Sequence, residues 1–218
     1  MARVVRTGAD FDEESFQAWY GPIAALSPAQ VAELFAGSEI RWAVVGGRAA
    51  RVAASQTRHH EDTDVEVPLA QLSALREHLA DWHLWQNEGG ALRPLLPDDE
   101  LRDGVNQLWL RRDSRSPWLL DLLLVPGDGT EWVYRPDERV RLPWSRAHRV
   151  VDGVRYVRPE IALLFKANSD RPKDRADLAA ARLDTDGLAW LVARLRELGL
   201  DTWADLAAKE SRWRDLRL

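Results

Sequence analysis

Two periods divide the chain. "SPAQVAELFAG" spaces its apolar residues as a helix does, with Ser27 as cap, Pro28 in the first turn and Gly37 as stop. "IRWAVVGG" is a short apolar strand that runs into the pair Gly46–Gly47, after which "RAARVAAS" resumes as a helix. "HEDTDVEV" alternates with period two and reads as a strand, and Pro68 opens the helix "PLAQLSALREHLADW". Five strand-like runs follow: "WHLWQN", "NQLWLRR", "WLLDLLLV", "EWVYR" and "GVRYV". The turn signals "EGG", "PDD" and "PGDG" fall among them. From Pro159 onward "PEIALLFKAN", "PKDRADLAAARL", "DGLAWLVARLRELG" and "TWADLAAKE" keep the helical period to the end. The pattern predicts an α+β chain with a mixed-sheet core and N-terminal extension over 1–148 and a helical C-terminal part over 149–218. No internal repeat or low-complexity linker breaks it.

Composition narrows the picture. With 218 residues, 45% hydrophobic and 30% charged, the chain suits one large domain or a domain with an appendage. The absence of cysteine removes disulfides and thiolate metal sites. The N-terminal stretch has no apolar signal segment, and "WLLDLLLV" is too short for a bilayer and is interrupted by Asp121. A cytoplasmic protein with no membrane partner is the expectation. A net charge of −5 argues against a nucleic-acid binder and suits a neutral or cationic small partner. Of the 30 basic residues 27 are arginine, yet Lys166 and Lys173 stand seven residues apart in "FKANSDRPKD". An ammonium is a compact point charge and a guanidinium a planar fork, so the two are not equivalent at a phosphate. The eleven tryptophans are scattered from Trp19 to Trp213, with no aromatic platform visible.

Candidate chemistry lies in "RHHEDTDVEV". Asp62, Asp64 and Glu66 fall at every second position and His60 continues the row, so a strand puts all four on one face. Like charges so close repel. Either this is a solvated strand face, or a cation sits between the carboxylates; Mg²⁺ takes oxygen ligands and commonly binds one or two carboxylates plus substrate phosphates. Asp121 bears on the choice, because it interrupts an apolar run that reads as a central strand. There it needs a salt bridge, a cation or an exit to a cleft. The similar pair Asp184–Asp186 sits at a helix start, where N-capping accounts for it. The strand–Gly46–Gly47–helix turn can present backbone N–H groups to a phosphate, or can be only a turn. His59, His60, His78, His83 and His148 show no ligand spacing on a helix, and no hydrolase nucleophile motif is present.

Taken together, "WAVVGGRAARVAASQTRHHEDTDVEV" resembles the nucleotidyltransferase signature of the polymerase β superfamily: strand, Gly-Gly, helix, then Asp-x-Asp on the next strand. The pattern is similar to that of the small aminoglycoside and lincosamide nucleotidyltransferases, the aminoglycoside 2''-adenylyltransferase-like family. Trp42, Gly46, Gly47, Thr57, Arg58, His60, Asp62 and Asp64 match it. Asp121 falls where that family has its third metal-binding carboxylate. "RPEIALLFKANSDRPKDRAD" resembles the helical segment in which lysines approach the triphosphate. The match runs from about residue 28 to 190.

The resemblance implies a polymerase β-like core and Mg²⁺ held by Asp62, Asp64 and Asp121. It implies NTP contacts from Gly46, Gly47, Arg58, His60 and Lys166 or Lys173. The reaction implied moves a nucleoside monophosphate from NTP to a hydroxyl of a small molecule, such as an aminoglycoside or lincosamide. The chain departs from the family's pattern in two respects: Arg48 and Arg51 follow the glycines, and Leu123 stands where some relatives carry a glutamate as general base. An RNA-directed transferase of the toxin type, served by the arginines of "RVRLPWSRAHRVVDGVRYVR", and a catalytically silent nucleotide-binding relative stay open. Asp98, Asp99, Glu100 and Asp103, in a predicted loop, suit attraction of a cationic acceptor.

Overall fold

A computed structural model describes residues 13–52 and 62–215, with side chains to residue 209. The described residues fall into two compact units, one made of 13–43 with 62–141 and the other of 44–52 with 142–215. Among the described residues no helix is long and apolar enough to cross a membrane.

In the first unit, helices α1 (Glu13–Tyr20) and α2 (Pro28–Leu34) precede the sheet. Ser27 caps α2, as the sequence predicts, and Gln30 returns the bond by accepting from the Ser27 N–H. Strand β1 (Ala43–Val44) leads out of this unit, and helix α3 (Gly46–Arg51) belongs to the second. The chain returns at β2 (Asp64–Pro68), α4 (Leu72–His78), β3 (His83–Glu88), β4 (Ala91–Pro94), β5 (Gln107–Arg111), β6 (Trp118–Val125) and β7 (Glu131–Val133). The strands stand in the order β4-β3-β5-β6-β2; β2 runs parallel to β6 and the other pairs are antiparallel. This is a mixed sheet.

One face of that sheet is the core, with Leu84, Leu108, Leu110, Leu120, Leu122, Leu124, Val65 and Val67 all buried. The other face carries the polar and aromatic residues. Trp85, Trp109, Asp121 and Asp64 are successive register partners across β3, β5, β6 and β2, so they form one row on that face. A bulge between Leu110 and Arg111 pairs Arg111 with Trp118, which turns Trp118 onto the same face. Register thus gathers tryptophans that lie far apart in the chain. Trp85 and Trp109 meet Trp118 edge-on at 5.6 and 5.5 Å, and the Arg111 guanidinium lies 4.3 and 4.4 Å from the Trp85 and Trp118 ring centres. Phe16 of α1 packs on Trp109 at 5.3 Å.

The second unit continues from β8 (Arg141–Pro143) through α5 (Trp144–Ala147), β9 (His148–Val151) and β10 (Val154–Val157). β10 pairs parallel with β1 through Val44 and Tyr156, and antiparallel with β9. Helices α6 (Pro159–Ser169), α7 (Pro172–Ala180), α8 (Thr185–Glu197) and α9 (Asp201–Asp215) complete the chain. The architecture is α+β with a helical C-terminal part, as the change of period at Pro159 predicts. Helix α6 packs against α3, α7 and α8. Asp170 takes the left-handed conformation (φ 45°) that ends α6, with its own side chain held by Arg175 and by the Trp203 indole at 2.8 Å.

The sequence pattern misses α1, β4, β8, α5 and β9. The last four are only three or four residues long, and β4 buries only Leu92 well, so none of them has a periodic apolar stripe to read. The predicted helix after Pro68 is also shorter. A 3₁₀ turn (Leu69–Gln71) precedes α4, and the chain leaves the helix at Leu79.

Candidate functional site

Asp64 and Asp121 are the centre of the candidate site. They are Cα partners in the parallel pair β2–β6, and the Asp121 N–H donates to the Thr63 carbonyl at 3.1 Å. Parallel partners in register project to the same side of a sheet, which brings two carboxylates face to face. Thr63, buried, donates its hydroxyl to the Leu26 carbonyl at 2.6 Å and pins the chain just ahead of β2. Asp62 is exposed and lies just before the ladder begins, close enough for its charge to be felt at Asp121. Asp64 and Asp121 are half-buried.

Asp121 is under electrostatic stress. Its Oδ2 accepts a hydrogen bond from Gln107 Nε2, while its Oδ1 is covered and has no hydrogen-bond partner among the described residues. Burial first, then the charge of Asp64 and that of Asp62, push its carboxyl well above the usual range, against the opposing Gln107 bond. A covered carboxylate oxygen without a partner, beside two further carboxylates, is a donor set that fits an oxygen-seeking divalent cation. Among the described residues no three His, Asp or Glu side chains stand together as a set that could hold a metal ion, so the cation's protein ligands here are centred on the Asp64–Asp121 pair. Glu66 continues the acidic row in sequence but belongs to the interior: it is 1% exposed and its Oε2 accepts from the Trp132 indole at 3.3 Å. Leu123 is the register partner of both Glu66 and Gln107.

The remaining sequence candidates lie in the second unit or outside the described residues. Thr57, Arg58 and His60 fall in the latter. Gly46 takes φ 63°, a left-handed backbone that a residue with a side chain adopts only under strain, and this makes the turn from β1 into the six-residue α3. Arg48 and Arg51 follow on α3, and both lie near the half-buried Tyr156; burial raises the Tyr156 phenol while the two guanidiniums oppose the rise.

The two lysines part company. Lys166 is buried, with Nζ 2.7 Å from Asp177 and 3.3 Å from Asp174. Asp174 is fully buried and also takes Arg171 Nε at 2.7 Å. Burial pushes the Asp174 carboxyl up, but the Arg171 hydrogen bond and the Lys166 charge outweigh it and hold the group below the usual range. Lys173 is exposed on α7. Asp184, by contrast, does what its position predicts and caps α8 by accepting from the Gly187 N–H at 2.7 Å.

Of the loop acids, Asp98, Asp99, Glu100 and Asp103 are all exposed. Arg76 ties this loop down by donating to the carbonyls of Leu96, Pro97 and Asp99. Asp103 lines a cleft of about 280 Å³ together with Asn87, Asn106 and Gln107. Gln107 is the residue that motif reading misses. Its only signal is its place on β5, beside the register partner of Asp121.

No protein-family model matches the chain, and no curated protein does. Among solved structures, the chain is similar to the crystal structure of ANT(2'')-Ia in complex with adenylyl-2''-tobramycin. That match has a TM-score of 0.41 and 14% identity, over 85% of this chain and 98% of that one. The solution structure of the antibiotic-resistance factor ANT(2'')-Ia gives 0.41 and 16%, over 87% and 94%. A crystal structure of an antigenic nucleotidyltransferase-like protein from Paracoccidioides brasiliensis gives 0.41 and 16%, over 82% and 90%. Likeness this loose does not assign a family.

Proposed function

We propose that the protein is a Mg²⁺-dependent nucleotidyltransferase that moves a nucleoside monophosphate from NTP to a hydroxyl of a small molecule. One observation carries the reading: Asp64 and Asp121 face each other in register on parallel strands, and Asp121 Oδ1 is covered with no hydrogen-bond partner among the described residues. Asp62, Asp64 and Asp121 would hold the cation. When bound, Mg²⁺ supplies charge neutralisation for the attacking and leaving oxygens of an in-line displacement. In that displacement the acceptor oxygen bonds to the α-phosphorus, the bond from that phosphorus to the bridging oxygen breaks, and pyrophosphate leaves.

The protein's part is positioning and preorganised charge. Gly46 and Gly47 remain the candidate phosphate contacts by sequence resemblance, with Arg58 and His60. Of the two lysines, exposed Lys173 takes the phosphate role more readily, since Lys166 would have to leave two carboxylates. No general base is assigned, because Leu123 occupies the position where one would be looked for. A cationic acceptor of the aminoglycoside kind suits the net charge of −5 and the loop acids, whereas an RNA backbone does not.

The test is incubation with each labelled NTP and Mg²⁺ against aminoglycosides, lincosamides and tRNA, alongside calorimetry of Mg-nucleotide binding. Asp62→Asn and Asp64→Asn are expected to abolish transfer and weaken Mg-dependent nucleotide binding with the fold retained. Unchanged Mg-dependent affinity in both variants removes the metal-site reading. Label on tRNA and on no small molecule replaces the acceptor with RNA, and nucleotide binding without transfer makes the protein a silent relative.

A further inference from the structure

A directed hydrogen-bond chain in the first unit ends on the paired carboxylates. At the turn between β3 and β4 the Gly90 backbone N–H donates to Asn87 Oδ1 at 2.8 Å. Asn87 Nδ2 donates to Gln107 Oε1 at 2.8 Å, and Gln107 Nε2 donates to Asp121 Oδ2. A side-chain amide can turn over and exchange its oxygen and nitrogen, but a backbone N–H can only donate. Gly90 therefore decides which way Asn87 points, and Asn87 decides which way Gln107 points. The last donor in the chain meets Asp121.

We propose that Gln107 is a positioning residue: by engaging Asp121 Oδ2 it presents Oδ1 as the oxygen for a divalent cation, and Gly90 and Asn87 set its orientation. The inference rests on the reading of Asp62, Asp64 and Asp121 as cation ligands. Geometry supports it beyond the hydrogen bonds themselves. Gln107 pairs with Leu123, two residues along β6 from Asp121, so its side chain reaches the carboxylate from a fixed strand. Both amides are half-buried and line the cleft with Asp103 and Asn106, outside the apolar core. Replacing either one removes at most two hydrogen bonds at a partly wet surface, so the fold tolerates the change while the carboxylate loses its brace.

Mn²⁺ is the probe, titrated into the full-length protein and followed by its paramagnetic resonance signal, with and without ATP. Gln107→Met keeps the length and deletes the donor. Asn87→Asp turns the donor facing Gln107 into an acceptor, so Gln107 turns its Nε2 toward residue 87 and its oxygen toward Asp121. Each change is expected to weaken Mn²⁺ binding at least tenfold with little change in melting temperature. Asn87→Asp is expected to add nothing in the Gln107→Met background. With an accepted substrate, kcat is expected to fall and the acceptor KM to hold. Wild-type Mn²⁺ affinity in Gln107→Met overturns the inference and leaves the cation reading intact. An Asn87→Asp loss that persists without Gln107 overturns the chain. No Mn²⁺ binding by the wild type overturns both.

Discussion

Replacing Lys166 by methionine separates a structural lysine from a phosphate-binding one. The Lys166 side chain is 8% exposed and touches Asp174, which is 0% exposed, and Asp177, which is 14% exposed. Methionine fills the volume but leaves Asp174 with Arg171 as its one remaining cation in this network, from a side chain that is itself 53% exposed. Opening a buried ion pair by removing one partner costs roughly 3–5 kcal/mol. Arg171 still compensates Asp174, and Asp177 has some access to water, so the lower end applies, about 3 kcal/mol. For a chain of this size that is a fall in melting temperature of roughly 6–12 °C, at about 2–4 °C per kcal/mol.

The loss has a pH signature. In the wild type the Asp174 carboxyl is held below its usual range, so it contributes stability above the ordinary carboxylate pKa and loses it as pH falls through the lowered value. Without Lys166 the rise caused by burial is less opposed. The variant then regains ground as the carboxyl protonates, and the gap to wild type narrows from pH 7 toward pH 4. Thermal melts of both proteins across that range, with Lys173→Met as a control expected within about 0.5 kcal/mol of wild type, provide the assay. Wild-type stability for Lys166→Met, together with a selective loss of NTP affinity, refutes the structural assignment.

Asp121→Asn removes a carboxyl whose pKa in the fold is raised. In the wild type the folded state binds that proton more tightly than the unfolded chain, so stability falls as pH rises above the ordinary carboxylate range. The variant is expected to be more stable than wild type at pH 7, with the gain vanishing below about pH 4 and with transfer abolished; urea melts at both pH values check it. Asp184→Ala deletes the cap of α8 and is expected to cost about 0.5–2 kcal/mol in the same melts. Neutralising Asp98, Asp99, Glu100 and Asp103 together is expected to lower the affinity for an aminoglycoside acceptor and flatten its salt dependence, measured by calorimetry between low and 0.1 M salt, where screening sets in at about 10 Å.

Much of the fold was legible because its signals are local. "WLLDLLLV" is a strand with Asp121 at its middle, "DVEV" becomes the strand beside it, and Ser27 and Asp184 cap the helices they precede. The same locality explains the omissions. Strands β4 and β9 are too short for periodicity to build up, and their existence follows from what they pair with.

What the sequence by itself determined is which residue types are available and which period carries them: an acidic row on a strand, a lone aspartate in an apolar strand, two lysines across a helix break. Tertiary structure decided which of them meet. Strand register is a long-range choice set by burial of a whole face, and it is register that puts Asp64 beside Asp121 and brings Gln107 to the carboxylates, while Glu66, on that same face, is buried against the Trp132 indole. The lysines show the same division. Helix α6 is apolar on nearly every side, so its period could not say that Lys166 points inward, and only the packing of α7, with Asp174 and Asp177 on its buried flank, supplies the charges that let an ammonium stay there.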